Sequence, residues 1–347
     1  MSKSTLRMWL LPLLLPLAGC ARTVVLDPAG DVARQQGNLI LIATGLMLLV
    51  IVPVIALTLV FAWRYRASNA DATYTPDWDH STQLELVIWA VPLLIIIALG
   101  AITWISTHTL DPYRPLDRIS HDRPVPEGTK PLVVEVVSLD WKWLFIYPEQ
   151  GIATINELAA PVDRPIRFKL TSSSVMNAFY VPDLAGMIYT MPGMQTELNA
   201  VINAPGEYAG FSSNYSGAGF SGMRFRFHAF DAAGFDAWVA NVRSSGDALG
   251  RAGYMQLEKP SEREPVRRYA TVDAGLYDAI LNRCVDPQKM CMHDMMAIDA
   301  AGGRPAGSGL DALLPLRRGD LRGRPFVATA TCSAGTSPPW SLAMRAP

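Results

Sequence analysis

The chain has 347 residues, of which 50% are hydrophobic and 18% charged, with 30 basic and 31 acidic side chains for a net charge of −1. That balance excludes a protein built to hold nucleic acid or another polyanion, which needs a basic face. The apolar half of the composition is concentrated in a few runs, and these come first along the chain.

Residues 1–19 read as a processing segment. Lys3 and Arg7 form a basic start, and Met8 to Leu17 is an apolar stretch too short to span a bilayer. It closes on Leu17-Ala18-Gly19-Cys20. That ending looks like a bacterial lipoprotein signal, with cleavage before Cys20 and lipid on its thiol. The plainer alternative is an ordinary signal peptide with an incidental cysteine.

Residues 20–110 read as an anchor of two transmembrane helices. Leu39–Trp63 and Leu86–Ile105 carry no charge over 25 and 20 residues. At 1.5 Å per residue each can cross a hydrocarbon core of about 30 Å. Trp63, Tyr65, Trp89 and Trp104 lie near the run ends, where interfacial aromatics sit. An exported Cys20 sets the mature N-terminus outside. The first helix then ends inside at Arg64 and Arg66, as the positive-inside rule prefers. The second returns outward, so everything beyond His108 is expected outside the cytoplasm. Glu85 stands at the cytoplasmic mouth of the second helix, the only acid at the edge of either run. A carboxylate there serves either as a helix-end charge favoured by the macrodipole or as a functional intramembrane acid.

After a Pro-rich connector, residues 111–130, the hydrophobic period shortens. Leu132–Leu139, Ile166–Thr171, Glu197–Ile202 and Arg224–Phe230 are short, partly alternating runs rich in β-branched and aromatic residues. Pro- and Gly-containing turns separate them, which predicts a β-sandwich over residues 131–245. Asp231–Ser244 brings Phe235, Trp238, Val239 and Val242 to one helical face. The four cysteines are Cys20, Cys284, Cys291 and Cys332, so the sandwich region has none, and its one histidine is His228. One imidazole and no thiol do not make a typical transition-metal electron-transfer site. Met176, Met187, Met191, Met194 and Met223 are expected as core filler, and Trp141, Trp143, Phe145 and Tyr147 as a strand with one core face and one contact face.

Two stretches carry a resemblance. Ser173–Pro182 (SSVMNAFYVP) and Gly206–Met223 (GEYAGFSSNYSGAGFSGM) resemble the copper-binding loops of subunit II of the haem–copper respiratory oxidases. The copper-bearing relatives have histidine where this chain has Asn177, cysteines where it has Ser212 and Ser216, and histidine where it has Phe220. Only Met223 stands unchanged at a ligand position. Asp140–Ala153, Met194-Gln195-Thr196 and the glycines around Phe220 are similar to the quinol-oxidising branch, the bo-type ubiquinol oxidases, and the resemblance runs over about residues 15–300. It implies a two-helix anchor followed by a cupredoxin-like sandwich that lacks the binuclear copper site. Ser212, Asn214 and Ser216 are then expected to form a hydrogen-bonded loop where metal would sit.

The resemblance further implies subunit II of a proton-pumping ubiquinol oxidase in a bacterial inner membrane. Haems, one copper and the ubiquinol pocket would belong to subunit I, with no cofactor in this chain. Its partners would be subunit I, further oxidase subunits and membrane lipid, and Glu85 would open a proton pathway. The rival readings are a cytochrome c oxidase subunit II, which needs the absent copper loops, and a stand-alone lipid-anchored assembly or binding module. Residues 246–300 read as the extension of the quinol branch, with Tyr269, Leu276, Tyr277 and Ile280 on a partial helical face. Cys284 and Cys291, among Met290, Met292, His293, Met295 and Met296, suit either Cu(I) or an exported disulfide. Residues 301–347, rich in Gly, Pro, Ala and Arg, are expected to be disordered.

Overall fold

A computed structural model of the chain describes residues 23–300 apart from 74 and 76. The expectations for Cys20, Cys332, the processing segment and the tail after 300 lie outside the described residues.

Among the described residues two long helices come first, α1 (Asp31–Arg64) and α2 (Thr82–Thr109). Both exceed the apolar runs that announce them. At 34 residues α1 is about 51 Å long, more than a hydrocarbon core requires. The surplus lies at its start, where Asp31, Val32, Ala33 and Gly37 are buried. There Asp31 accepts from Arg118 Nε at 2.8 Å and from Gln35 Nε2 at 2.8 Å, and the Gly30 N–H donates to the Asp183 carbonyl at 2.7 Å. The helix therefore grows out of the outer domain. The rest of α1 and all of α2 expose aliphatic and aromatic side chains, as spans facing lipid or a membrane partner do.

Among the described residues fifteen short strands follow, interrupted by helices. In chain order they are β1 (Arg118–Ser120), β2 (Arg123–Pro124), β3 (Leu132–Leu139), β4 (Lys142–Tyr147), β5 (Ile152–Ile155), β6 (Glu157–Pro161), β7 (Ile166–Ser172), β8 (Asn177–Tyr180), β9 (Ile188–Thr190), β10 (Thr196–Ala200), β11 (Gly206–Ser212) and β12 (Arg224–Phe230). After α3 (Ala232–Arg243) come β13 (Ala248–Leu249), α4 (Arg251–Leu257), β14 (Arg267–Tyr269), β15 (Thr271–Val272), α5 (Leu276–Leu281) and α6 (Met292–Ala300). A six-stranded sheet runs β10-β7-β3-β4-β5-β14, and a five-stranded sheet runs β6-β12-β11-β8-β9. Between them lies an aromatic core of Trp143, Phe145, Phe168, Phe179, Phe225 and Phe227. Tyr147 ties the sheets together, its hydroxyl donating to the Ala159 carbonyl at 2.9 Å and accepting from the Ala159 N–H at 2.8 Å. The amphipathic helix is α3, buried on Phe235, Trp238, Val239 and Val242 and capped by Asp231, whose side chain accepts from the Gly234 N–H at 2.8 Å.

Three expectations need correction. Trp143, Phe145 and Tyr147 are fully buried, and so are Lys142, Leu144 and Ile146, so β4 leaves no free face for a partner. The cause is the extension, which covers the outer side of this sheet. Strand β14 pairs with β5, and the Lys142 ammonium donates to the Lys259 carbonyl at 2.8 Å and to Ser261 Oγ at 2.7 Å. Tyr269 accordingly lies on a strand, while Leu276, Tyr277, Ala279 and Ile280 are the buried residues of α5. Of the sandwich methionines only Met223 is a core residue; Met176, Met187 and Met194 are 40–53% exposed. Cys284 and Cys291 are each disulfide-bonded. The chain divides into two compact units between Pro287 and Gln288, and α6 belongs to the second.

Candidate functional site

The end of the sandwich where β8 and β11 finish gathers the residues at the copper-ligand positions. Asn177 opens β8 and Ser212 closes β11. Antiparallel pairing of these strands sets Ser212 opposite Phe179. Both Asn177 and Ser212 are buried. The Ser212 hydroxyl lies 3.1 Å from Asn177 Oδ1 and 3.2 Å from the Asn214 carbonyl, one of which takes its proton. The same oxygen accepts from the Ala178 N–H at 3.4 Å. Asn214 Nδ2 donates to the Met176 carbonyl at 3.2 Å, and the Ser212 N–H donates to the Met223 carbonyl at 3.2 Å. The buried polar groups thus satisfy one another, as their burial requires.

The rest of the loop is held differently. Phe220 begins a 3₁₀ turn, Phe220–Gly222, and its ring meets Tyr215 edge-on at 5.6 Å. Ser216 contributes its carbonyl, which accepts from Trp141 Nε1 at 2.9 Å, while its buried hydroxyl has no partner. Trp141 is a site residue that the sequence reading assigned to a contact strand. Its indole lies so close to Gly219 that a Cβ there would sit 2.6 Å from the ring. The signal available in the sequence was the pair of loop glycines, Gly217 and Gly219, which leave room for a large flat side chain.

At the former copper-ligand positions, Asn177, Ser212, Asn214, Ser216, Phe220 and Met223, the side chains supply two hydroxyls, two carboxamides, a phenyl ring and one thioether. A binuclear copper centre needs thiolate bridges and imidazole nitrogens. The donors present do not fit one. Shortage of soft donors and the hydrogen bonds that link Asn177, Ser212 and Asn214 point the same way.

Glu85 stands far from this loop in sequence, in the first turn of α2. Its carboxylate is 2.9 Å from His80 Nδ1 and about half exposed. The side chain is thus paired with His80 of its own chain and half open to its surroundings.

Comparison with known proteins sharpens these observations. Residues 149–229 match the family "Cytochrome C oxidase subunit II, periplasmic domain", and residues 243–288 match the "COX Aromatic Rich Motif". The chain is 53% identical over 270 residues to the cytochrome bo(3) ubiquinol oxidase subunit 2 of Pseudomonas putida, covering 78% of this chain and 83% of that one. It is 48% identical to the subunit of the same name from Pseudomonas aeruginosa, over 86% and 85% of the two chains. The ubiquinol oxidase subunit 2 of Acetobacter aceti is 51% identical, over 76% and 83%.

Proposed function

The chain belongs to the family of ubiquinol oxidase subunit 2, and from that premise we propose that it is the second subunit of a proton-pumping ubiquinol oxidase, without a binuclear copper centre of its own. Such a complex takes two ubiquinols and one dioxygen to two ubiquinones and two waters. Its haems, its single copper and its quinol pocket belong to subunit I. The observation that carries the loss of the binuclear centre is the hydrogen-bonded Asn177–Ser212 pair at two former ligand positions. Purified from membranes, the complex should oxidise ubiquinol and lack a mixed-valence two-copper paramagnetic signal. That signal, or turnover with cytochrome c in place of quinol, would overturn the reading in favour of a cytochrome c oxidase.

Bracing of subunit I is the second part of the proposal. Exposed Val175, Met176, Met187, Tyr189 and Tyr215 surround the former copper loop. The Ser213 hydroxyl contacts Met187 Sδ at 3.2 Å, and Met187 lines, with Asp31, Gln35 and Leu110, a cleft of about 240 Å³ at the outer ends of α1 and α2. Exposed apolar side chains around the former copper loop, beside a polar cleft at the outer ends of the membrane helices, suit a seat on the outer face of a membrane subunit.

Glu85 is proposed as the entrance of a proton pathway that continues in subunit I. Glu85→Gln is expected to slow reduction of the high-spin haem by about tenfold or more, with subunit content unchanged. Were Glu85 only a helix-end charge, its loss would cost about 0.3–1 kcal/mol of stability and no specific step. Wild-type haem reduction and turnover in the variant would sink the assignment.

Lipidation of Cys20 at the periplasmic face of the inner membrane is supported by the course of the chain after it. Residues 23–29 double back along the start of α1. The Val25 carbonyl is so close that a Cβ on Gly37 would sit 2.6 Å away, which requires glycine there. Val25 thus lies beside Gly37, two residues before the apolar run of α1, and Val25 and Leu26 are exposed. An N-terminal peptide whose mass lacks a diacylglyceryl group would refute lipidation.

A further inference from the structure

The segment after Pro287 holds soft donors that no role above uses. Met290, Met292, Met295 and Met296 lie within seven residues, with His293 among them. The usual reason for a methionine is to fill a core, and here that reason fails. None of the residues of α6 is buried, and Met295 and Met296 are 43% and 57% exposed. Residues three and four apart share a helix face. Met292 and Met296 are therefore neighbours, and His293 is one turn from Met296. The ring Nε2 of His293 is 2.9 Å from Asp294 Oδ1, and the ligand atoms of Cys291, His293 and Asp294 lie within 4.8 Å of one another.

The donor types select the metal. Cys291 is disulfide-bonded and supplies no thiolate, which removes the basis of a structural zinc site. Calcium and magnesium require several oxygens, and Asp294 offers one carboxylate. Thioethers with an imidazole are soft, neutral donors, the set that suits Cu(I). We propose that α6 carries a mononuclear Cu(I) site formed by the thioethers of Met292 and Met296 and the imidazole of His293. The site is independent of the oxidase reading: it rests on this helix alone, and Cu(I) held there needs no redox step.

The test is an anaerobic Cu(I) titration of the full chain in detergent micelles, in competition with bicinchoninate as a chromogenic Cu(I) chelator. The wild type is expected to take one Cu(I) per chain from the chelator. The double variant Met292→Leu/Met296→Leu keeps apolar volume and helix propensity and should weaken uptake by at least about tenfold, with His293→Gln weakening it likewise. A control, Met176→Leu/Met194→Leu, changes exposed methionines of the sandwich and should leave uptake unaltered. No uptake by the wild type, wild-type affinity in the α6 double variant, or loss in the control instead would each overturn the proposal.

Discussion

Phe179→Ala is expected to destabilise the outer domain by about 3–5 kcal/mol, the range for deleting a fully buried aromatic ring. Phe179 has no exposed surface and is the hub of the core. Its ring stacks on Phe225 at 5.4 Å with 12° between planes, and it meets Trp143, Phe168 and Phe145 at 5.5, 5.3 and 6.4 Å. Each lost aromatic pair adds to the area term, and four large neighbours cannot all move to fill one cavity. Phe179 also lies two residues beyond Asn177 on β8, so the same ring fixes the strand that presents the former copper loop. Guanidinium unfolding of the detergent-solubilised chain, followed by near-ultraviolet circular dichroism, should reveal a large fall in midpoint. Phe220→Ala, in the half-buried loop, should cost less than about 1.5 kcal/mol. Similar costs for both variants would mean that the loop, and not the aromatic core, sets the stability of this end of the sandwich.

How much of this was legible in the sequence depended on what covers each strand. Arg224–Phe230 matches the observed bounds because one face is buried and the other partly open, which leaves alternation in the residues, and Leu132–Leu139 because its first half alternates in the same way before both faces become buried from Val136 on. Strand β4 misled the reading because both its faces are covered. Lys142 looks like a solvent-facing residue, yet it is buried because its ammonium finds three oxygens, two of them on the extension at Lys259 and Ser261. No periodicity within β4 encodes that distant partner. Strand β8 is four residues long, too short to show a period. The vacated loop was legible in a different way. Residue types at Asn177, Ser212, Ser216 and Phe220 settle which donors are missing, but not that Trp141 seals the loop. That contact is set by the fold.

Glu135 carries the other large expectation, a pH dependence of stability. It lies on β3 opposite Lys169 of β7, and α5 brings Asp278 and Tyr277 near it. Burial is the main cause that pushes its carboxyl from the ordinary 4.5 up to about 7; Lys169 opposes the rise and Asp278 adds to it. The folded pKa is thus above the unfolded one, so the folded state holds the extra proton between pH 4.5 and 7. Stability contributed by the neutral acid is complete below pH 4.5, falls as pH rises, and is gone above pH 7. The loss is on the order of 2–3 kcal/mol at most, since Lys169 and solvent both screen the ionised form. Glu135→Gln removes the ionisation while keeping size and polarity. It should leave the unfolding midpoint nearly unchanged at pH 5 and raise it at pH 8, flattening the slope between. Because the burial that shifts Glu135 involves α5, the same titration reports on how firmly the extension holds the sheet. Equal effects of the substitution at pH 5 and pH 8 would mean that Glu135 ionises at its ordinary value and that the extension leaves it solvated.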